Sequence, residues 1–310
     1  MKPCISIFGP TASGKSALAL SLARDFNGVI ISADSMQIYR GMNIGTAKPT
    51  AEEMEEIPHR MIDICDPADS FSVYDYKQKA ENEIEQVLSC GMLPIVVGGT
   101  GLYLDALFYN TQFGEMQIDP NIRENLAKEA VKLGNGELLA RLKRIDPETA
   151  FPLHEKDTKR ILRALEVYYS TGKTLSAFKR ESHLIKPKFD YLKISLVFSN
   201  RENLYLRINN RVDQMMKMGL LEETRKLIED GSFSGKTAPQ AIGYKELIPF
   251  FKGESSLETC IEKLKQKTRN YAKRQLTWFR RYTDAQTVCM DCRISPYERV
   301  KEITNKFLEE

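Results

Sequence analysis

Eight residues near the start of the chain carry the first legible chemistry. Gly9-Pro10-Thr11-Ala12-Ser13-Gly14-Lys15-Ser16 follows the pattern G-x-x-x-x-G-K-[ST] without departure. These residue types at this spacing bind phosphate. The glycines let the backbone fold into a tight loop whose N–H groups converge on anionic oxygens. Lys15 adds a full positive charge, and the Ser16 hydroxyl is placed to ligate Mg²⁺. A second candidate is Asp34, just beyond the apolar run Val29-Ile30-Ile31-Ser32. A carboxylate beside a phosphate site repels the anion, so it needs a task. It can hold Mg²⁺ or take a proton from a nucleophile; it can also simply cap the helix that follows. The third candidate is Lys263 to Arg281. It holds eight Lys/Arg (263, 265, 267, 269, 273, 274, 280, 281) and no acid, with Tyr271, Trp278 and Phe279 interleaved. Cations bind phosphates, and aromatics among them stack an unpaired base. A merely solvated helix face usually mixes both signs.

These groups need elements to hold them. Ile5 to Phe8 reads as a buried strand before the phosphate loop. Ser16 to Phe26 reads as a helix whose N-terminus faces the bound anion. Residues 29–32 form a second strand, which brings Asp34 to the carboxyl ends of the strands, where the ligand crevice of an open α/β sheet lies. Gly41 to Pro49 is a surface loop and Tyr74 to Ser89 a helix. Leu93 to Val97 is a further buried strand, ending in Gly98-Gly99-Thr100-Gly101. An ordinary ATPase carries a Mg²⁺-holding carboxylate there. This chain has glycines instead, which indicate close backbone approach to a ligand. From Phe113 to Pro187 strands disappear. Short helices are expected at 119–133, 136–145 and 158–170, with four cations at Lys156, Lys159, Arg160 and Arg163. Lys193 to Phe198 restores a strand. Leu204 to Asp230 reads as one long helix ended by Gly231, and Ala238 to Lys245 puts Gly and Tyr beside a Lys. The expected fold class is α/β. It comprises a P-loop NTPase-like core with a parallel sheet flanked by helices (1–112 and 188–283), a helical insertion domain (113–187) and a polar C-terminal tail with a final helix (284–310).

Composition bounds the function classes. The chain has 310 residues, 42% hydrophobic and 28% charged, which suits a soluble fold with one large core and a smaller unit. No apolar run is long enough to span a bilayer, and the chain enters a strand at once, so no signal peptide is expected. A formal charge of +3 does not identify a nucleic-acid binder; the placement of the charges must. Six cysteines (4, 65, 90, 260, 289, 292) are expected as free thiols in a reducing cytoplasm. Cys289-Met290-Asp291-Cys292 is a lone C-x-x-C with no second pair, and His59, His154 and His183 lie far upstream, which disfavours zinc.

The motifs together resemble the tRNA dimethylallyltransferase (tRNA isopentenyltransferase) family in its bacterial form. The matching pieces are GPTASGKS (9–16), SADSMQIYRGMNIGTAKP (32–49), PHRMIDICDP (58–67), VVGGTGLY (96–103), RALEVYYSTGKTLS (163–176), AIGYKEL (241–247) and TRNYAKRQLTWFR (268–280), in family order. The resemblance implies transfer of a dimethylallyl group from its diphosphate to N6 of the adenosine just 3′ of the tRNA anticodon. It implies that residues Gly9 to Ser16 hold the diphosphate, with Mg²⁺ on Ser16. Thr11 would donate to the bridging oxygen, Arg163 would close over the diphosphate, and Asp34 would orient the amine and take its proton, beside Lys15. It implies tRNA contacts at Asp34, Ser35, Met36, Gln37, Thr100, Arg123, Lys159, Arg160, Arg163, Gln240, Gly243, Tyr244, Lys245, Lys273, Arg274, Gln275, Trp278 and Arg280. The expected partners are the anticodon stem-loop of tRNA and dimethylallyl diphosphate, with no membrane, for a cytoplasmic monomer. Two other readings stay open from the residues alone. A P-loop kinase of a nucleoside or other small molecule explains the loop, Asp34 and a lid-like insertion, but not the acid-free basic stretch. A non-catalytic RNA-binding protein could use ATP only as a ligand.

Overall fold

A computed structural model describes residues 2–109, 119–235 and 237–310. In chain order its elements begin with β1 (Pro3–Phe8), α1 (Lys15–Asp25), β2 (Gly28–Ala33), α2 (Ala51–Glu56), β3 (His59–Arg60), α3 (Val73–Ser89), β4 (Leu93–Gly98) and α4 (Gly101–Phe108). Next come α5 (Pro120–Leu133), α6 (Asn135–Ile145), α7 (Pro147–Ala150), α8 (Thr158–Thr171) and α9 (Leu175–Leu184). The chain then returns through β5 (Asp190–Val197), α10 (Arg201–Lys217), α11 (Leu220–Glu229), α12 (Ile248–Phe251), α13 (Leu257–Phe279), β6 (Gln286–Cys289) and α14 (Pro296–Glu309).

All strand pairings are parallel, and the order is β3-β2-β4-β1-β5-β6. Parallel strands are covered on both faces, so they read as continuous apolar runs, and β2 and β4 are buried along their whole length. Ile5, Ile7, Ile30, Ile95, Val97, Ile194 and Leu196 from these strands pack with Leu18, Leu22 and Ala23 of α1. Local signals start the helices. Ser72 and Asp75 form a capping box on α3, and the Ser256 hydroxyl accepts from the Thr259 N–H on α13.

The chain divides into two compact units, 1–104 with 189–310, and 105–188. The second unit is all helical, with its own core of Leu126, Leu138, Leu142, Ile161, Ala164 and Leu165. The expected domain boundary between 112 and 113 lies outside the described residues, and the division falls at 104/105 instead. The segment 284–310 is not a tail. It supplies β6, which extends the sheet beside β5, and α14, whose Tyr297 hydroxyl and Lys301 ammonium bind Asp25 of α1. β6 escapes sequence reading because it has four residues and only Val288 fully buried. The single helix expected over 204–230 is two helices. Gly219 adopts φ 101°, a left-handed conformation suited to glycine, and breaks the run between α10 and α11.

The cysteines also depart from expectation. Cys289 and Cys292 form a disulfide, whereas Cys4, Cys65, Cys90 and Cys260 are free. The bridged loop is tied to α10 through Asp291, whose carboxylate accepts from the N–H groups of Ser199 (2.7 Å) and Asn200 (3.2 Å) and from Asn203 Nδ2 (2.8 Å). Those bonds, the Ser199 N–H foremost, hold the Asp291 carboxyl down at about 2.

Candidate active site

The phosphate loop sits between the end of β1 and the start of α1. Ala12 (φ 62°) and Gly14 (φ 93°) both take the left-handed conformation that turns the backbone. The Ala12 carbonyl accepts from Arg207 Nε of α10 at 3.0 Å, and Gly14 leaves room for the Arg207 guanidinium beside it. Lys15 Nζ donates to the Pro10 carbonyl at 2.9 Å, so the ammonium is folded back over the loop. Burial, and secondarily the nearby Arg211 charge, lower its pKa to about 7, against the attraction of Asp34. A lysine that is costly to charge when the site is empty gains its charge when an anion arrives.

Two cavities open on this loop. The first, about 80 Å³, is lined by Thr11, Lys15 and Ser16, by the apolar Ile30, Ile62 and Val97, and by polar groups including Gln37 and His59. The second, about 280 Å³, is lined by Ser35, Met36, Gln240, Gly243, Lys245 and Arg274, among others. Both are lined by Thr11, Asp34, Thr46, Arg211 and Tyr271. Asp34 therefore stands where the cavity lined by Lys15 and Ser16 meets a second, larger one. One of its oxygens, Oδ1, accepts from the Met36 N–H at 2.9 Å, which fixes the carboxylate. Next to it, Thr100 Oγ1 accepts from the Ser35 N–H at 3.0 Å.

Sequence reasoning missed three groups in this site. Arg211, on α10, lines both cavities and has no hydrogen-bond partner among the described residues. Burial lowers its pKa, against Asp34. Arg207 braces the loop one turn earlier on the same helix. His59, at β3, lines the first cavity with Nδ1 on the Ile57 carbonyl at 2.7 Å, and burial lowers its pKa. An Arg within a polar helix carries no sequence mark of what it faces. The loop 41–49 was legible only as a loop. In the structure the Glu223 carboxylate of α11 accepts the N–H groups of Asn43 (3.1 Å), Ile44 (2.9 Å) and Gly45 (3.1 Å). Gln37 Nε2 then donates to the Thr46 and Ala47 carbonyls, which places both residues in the first cavity.

Two residues expected to contact tRNA are buried in this structure. Tyr244 is fully buried, and its hydroxyl donates to Glu223 Oε1 at 2.6 Å. Gln275 is 5% exposed with both ends of its amide bonded inside the protein. Trp278 is half-buried against Gly101, with the Arg281 guanidinium 4.2 Å from its ring. Lys273 and Arg274 are exposed on α13, and Arg280 is exposed at its C-cap. Two of the eight cations of the basic stretch turn inward to α10: Lys265 pairs with Asp213 (2.8 Å), and Arg269 donates to Asn209 (2.6 Å). Lys245, Lys263, Lys267 and Arg274 line a further open pocket of about 380 Å³.

In the helical unit, Lys159 and Arg160 are exposed on the first turn of α8. Arg163, one turn on, bonds the buried Glu166 at 2.9 Å, and Arg123 approaches the same carboxylate at 3.8 Å. The two arginines are thus one cluster built on a buried acid.

The Ser16 hydroxyl is exposed, opens on the first cavity and has no partner among the described residues. A hydroxyl in that setting would suit a Mg²⁺ ion as its one protein oxygen ligand.

The comparisons agree with this geometry. The family model for IPP transferase matches residues 37–282. A tRNA dimethylallyltransferase of Thermoanaerobacter sp. (strain X514) is 46% identical over 305 residues, covering 98% of this chain and 96% of that protein. The crystal structure of a tRNA isopentenylpyrophosphate transferase from Staphylococcus epidermidis superposes with a TM-score of 0.72 at 45% identity, covering 99% of each chain. A eukaryotic dimethylallyltransferase, captured acting on tRNA, gives a TM-score of 0.83 at 32% identity, covering 100% of this chain and 80% of its own. Nothing among these relatives supports a kinase. The chain belongs to the IPP transferase family, among its bacterial tRNA dimethylallyltransferases.

Proposed function

We propose that this enzyme transfers a dimethylallyl group from dimethylallyl diphosphate to N6 of the adenosine just 3′ of the anticodon in tRNA, and releases pyrophosphate. The observation that carries the reading is the placement of Asp34 at the meeting of the two cavities. The diphosphate lies on residues 9–16 and its prenyl chain against the apolar residues of the first cavity. The adenine enters the second cavity, out of its stack. The N6 amine attacks C1 of the prenyl group, the C1–O bond breaks, and the electron pair leaves with the diphosphate. Asp34 takes the N6 proton.

Negative charge builds on the diphosphate as the bond loosens. Loop N–H groups, Lys15 and Arg211 face that charge. Bound Mg²⁺, with Ser16 as its protein ligand, would supply further neutralisation of the leaving group. The amine is a weak nucleophile, so the fixed carboxylate and the two-sided cavity contribute as much by positioning as by basicity. Cations of α13 (Lys273, Arg274 and, at its C-cap, Arg280), Lys245 and the cluster Arg123, Lys159, Arg160 and Arg163 of the helical unit serve the tRNA backbone. No helix among the described residues is long and apolar enough to cross a membrane, and the proposed setting is the cytoplasm, as a monomer.

Incubation of the protein with Mg²⁺, tRNA and either dimethylallyl diphosphate or ATP tests the reading. The expected result is pyrophosphate release only when prenyl donor and tRNA are both present, with one prenyl group on the adenosine beside the anticodon. Steady ATP consumption, or prenylation elsewhere on the tRNA, would overturn it.

A further inference from the structure

The glycines that end β4 have a second occupant to explain. Gln275 projects from α13 into the gap between the ends of β1 and β4. Its Oε1 accepts from the Thr11 N–H at 2.8 Å, and its Nε2 donates to the Gly99 carbonyl at 2.9 Å. A Cβ on Gly99 would lie 2.3 Å from Gln275 Nε2. One helical turn on, a Cβ on Gly101 would lie 2.3 Å from Trp278 Cδ1. Gly99 and Gly101 are therefore sockets for two side chains of one helix, where an ordinary ATPase carries an acid. One turn before Gln275, Tyr271 lines the same cavity as Asp34 and Gln275. Thr100 holds the Ser35 N–H beside Asp34. The same helix exposes Lys273 and Arg274.

We infer that Gln275 is a positioning residue of the transfer reaction, through which α13 fixes the phosphate loop at Thr11 relative to Asp34. The inference rests on the reading that this loop holds the donor diphosphate. Gln275 takes the Thr11 N–H out of the set that can face an anion, so it decides which loop donors meet the diphosphate and where the Thr11 hydroxyl points. At its other end the same amide holds the Gly99 carbonyl, next to the Thr100 that holds the Ser35 N–H beside Asp34. Misplacement of reacting groups by about 1 Å can cost on the order of a hundredfold in rate. A purely structural glutamine would only satisfy two buried backbone groups, and its loss would lower stability without a specific kinetic signature.

Two variants separate these roles. Gln275→Met keeps the volume and removes both bonds. Gln275→Glu keeps the acceptor for Thr11 but can donate to Gly99 only when protonated. Each is assayed with tRNA at temperatures below its own melting point, alongside binding of dimethylallyl diphosphate with Mg²⁺. The expected result for Gln275→Met is a fall in kcat of roughly a hundredfold, with KM for donor and Kd for tRNA within about threefold of wild type. Relative to wild type, Gln275→Glu should recover activity as pH falls from about 8 to about 6, as its carboxyl regains a proton. The inference is overturned if folded Gln275→Met turns over at the wild-type rate. Should that variant not fold, a pH profile of Gln275→Glu parallel to wild type overturns it. Failure of the underlying reading shows separately: wild-type protein would then bind neither pyrophosphate nor dimethylallyl diphosphate more tightly than Lys15→Ala does.

Discussion

Lys15 is costly to charge in the folded protein and is placed to recover that charge beside an anion. Its pKa, down at about 7, leaves it largely neutral in the empty site at pH 8. A bound diphosphate reverses the balance, so binding at pH 8 should draw up to about one proton from solution. Calorimetry in buffers of different ionisation enthalpy reads this directly; a buffer-independent heat would contradict it. The sign for stability follows from the same shift. Because the folded value is lowered, the unfolded chain holds more protons above about pH 7, and the charging cost of Lys15 is relieved as pH rises toward the ordinary lysine range. Lys15→Ala should reduce turnover by on the order of a hundredfold or more while tRNA affinity stays level, since the lost donor faces the leaving group. A parallel fall in tRNA affinity would remove Lys15 from that role. Arg163 calls for a different measurement. It bonds a carboxylate, Glu166, that is 2% exposed. Arg163→Ala should therefore destabilise the protein by roughly 1–3 kcal/mol, discounted because Arg123 shares the acid and Arg163 is partly exposed. Thermal melts of this variant decide how much of any rate loss is lost order in the helical unit.

At the scale of elements, α13 combines three tasks along one helix. Its buried residues pack the core, its Gln275 and Trp278 fill the glycine sockets after β4, and its exposed cations remain for an anionic partner. The structure separates those cations into two sets. Lys265 and Arg269 are held by Asp213 and Asn209 of α10, whereas Lys273 and Arg274 form no ion pair among the described residues and lie near the rings of Tyr205 and Tyr271. Titrations of tRNA over several salt concentrations should therefore tell them apart. Replacing Lys273 and Arg274 by Ala should flatten the salt dependence by up to about one unit per lost phosphate contact. Lys265→Ala should leave that slope unchanged. Equal slopes for all three proteins would mark α13 as a solvated face. Donor affinity is expected to stay constant throughout.

At the scale of the molecule, the core strands were legible because parallel pairing buries both faces and leaves an unbroken apolar run, as in Leu93 to Val97. The phosphate loop was legible because its function fixes residue types in one contiguous stretch. Groups brought in from distant elements were not: Arg211 and Arg207 look like any polar residues of α10, and Glu223 meets the loop at 43–45 only in three dimensions. The burial of Gln275 and Tyr244 was likewise not legible, because their motifs do not show what each side chain packs against. β6 was hidden by its length, and the break at Gly219 by an amphipathic pattern that resumes in phase. The central claim is that donor and acceptor meet across Asp34. Single-turnover prenylation by Asp34→Asn tests it most directly, because the amide keeps the shape of the site and loses the base. Asp34→Asn should bind donor like wild type and slow the chemical step by roughly two or more decades. A near-wild-type rate in that step would reduce Asp34 to a cap on the turn at Met36 and contradict the account.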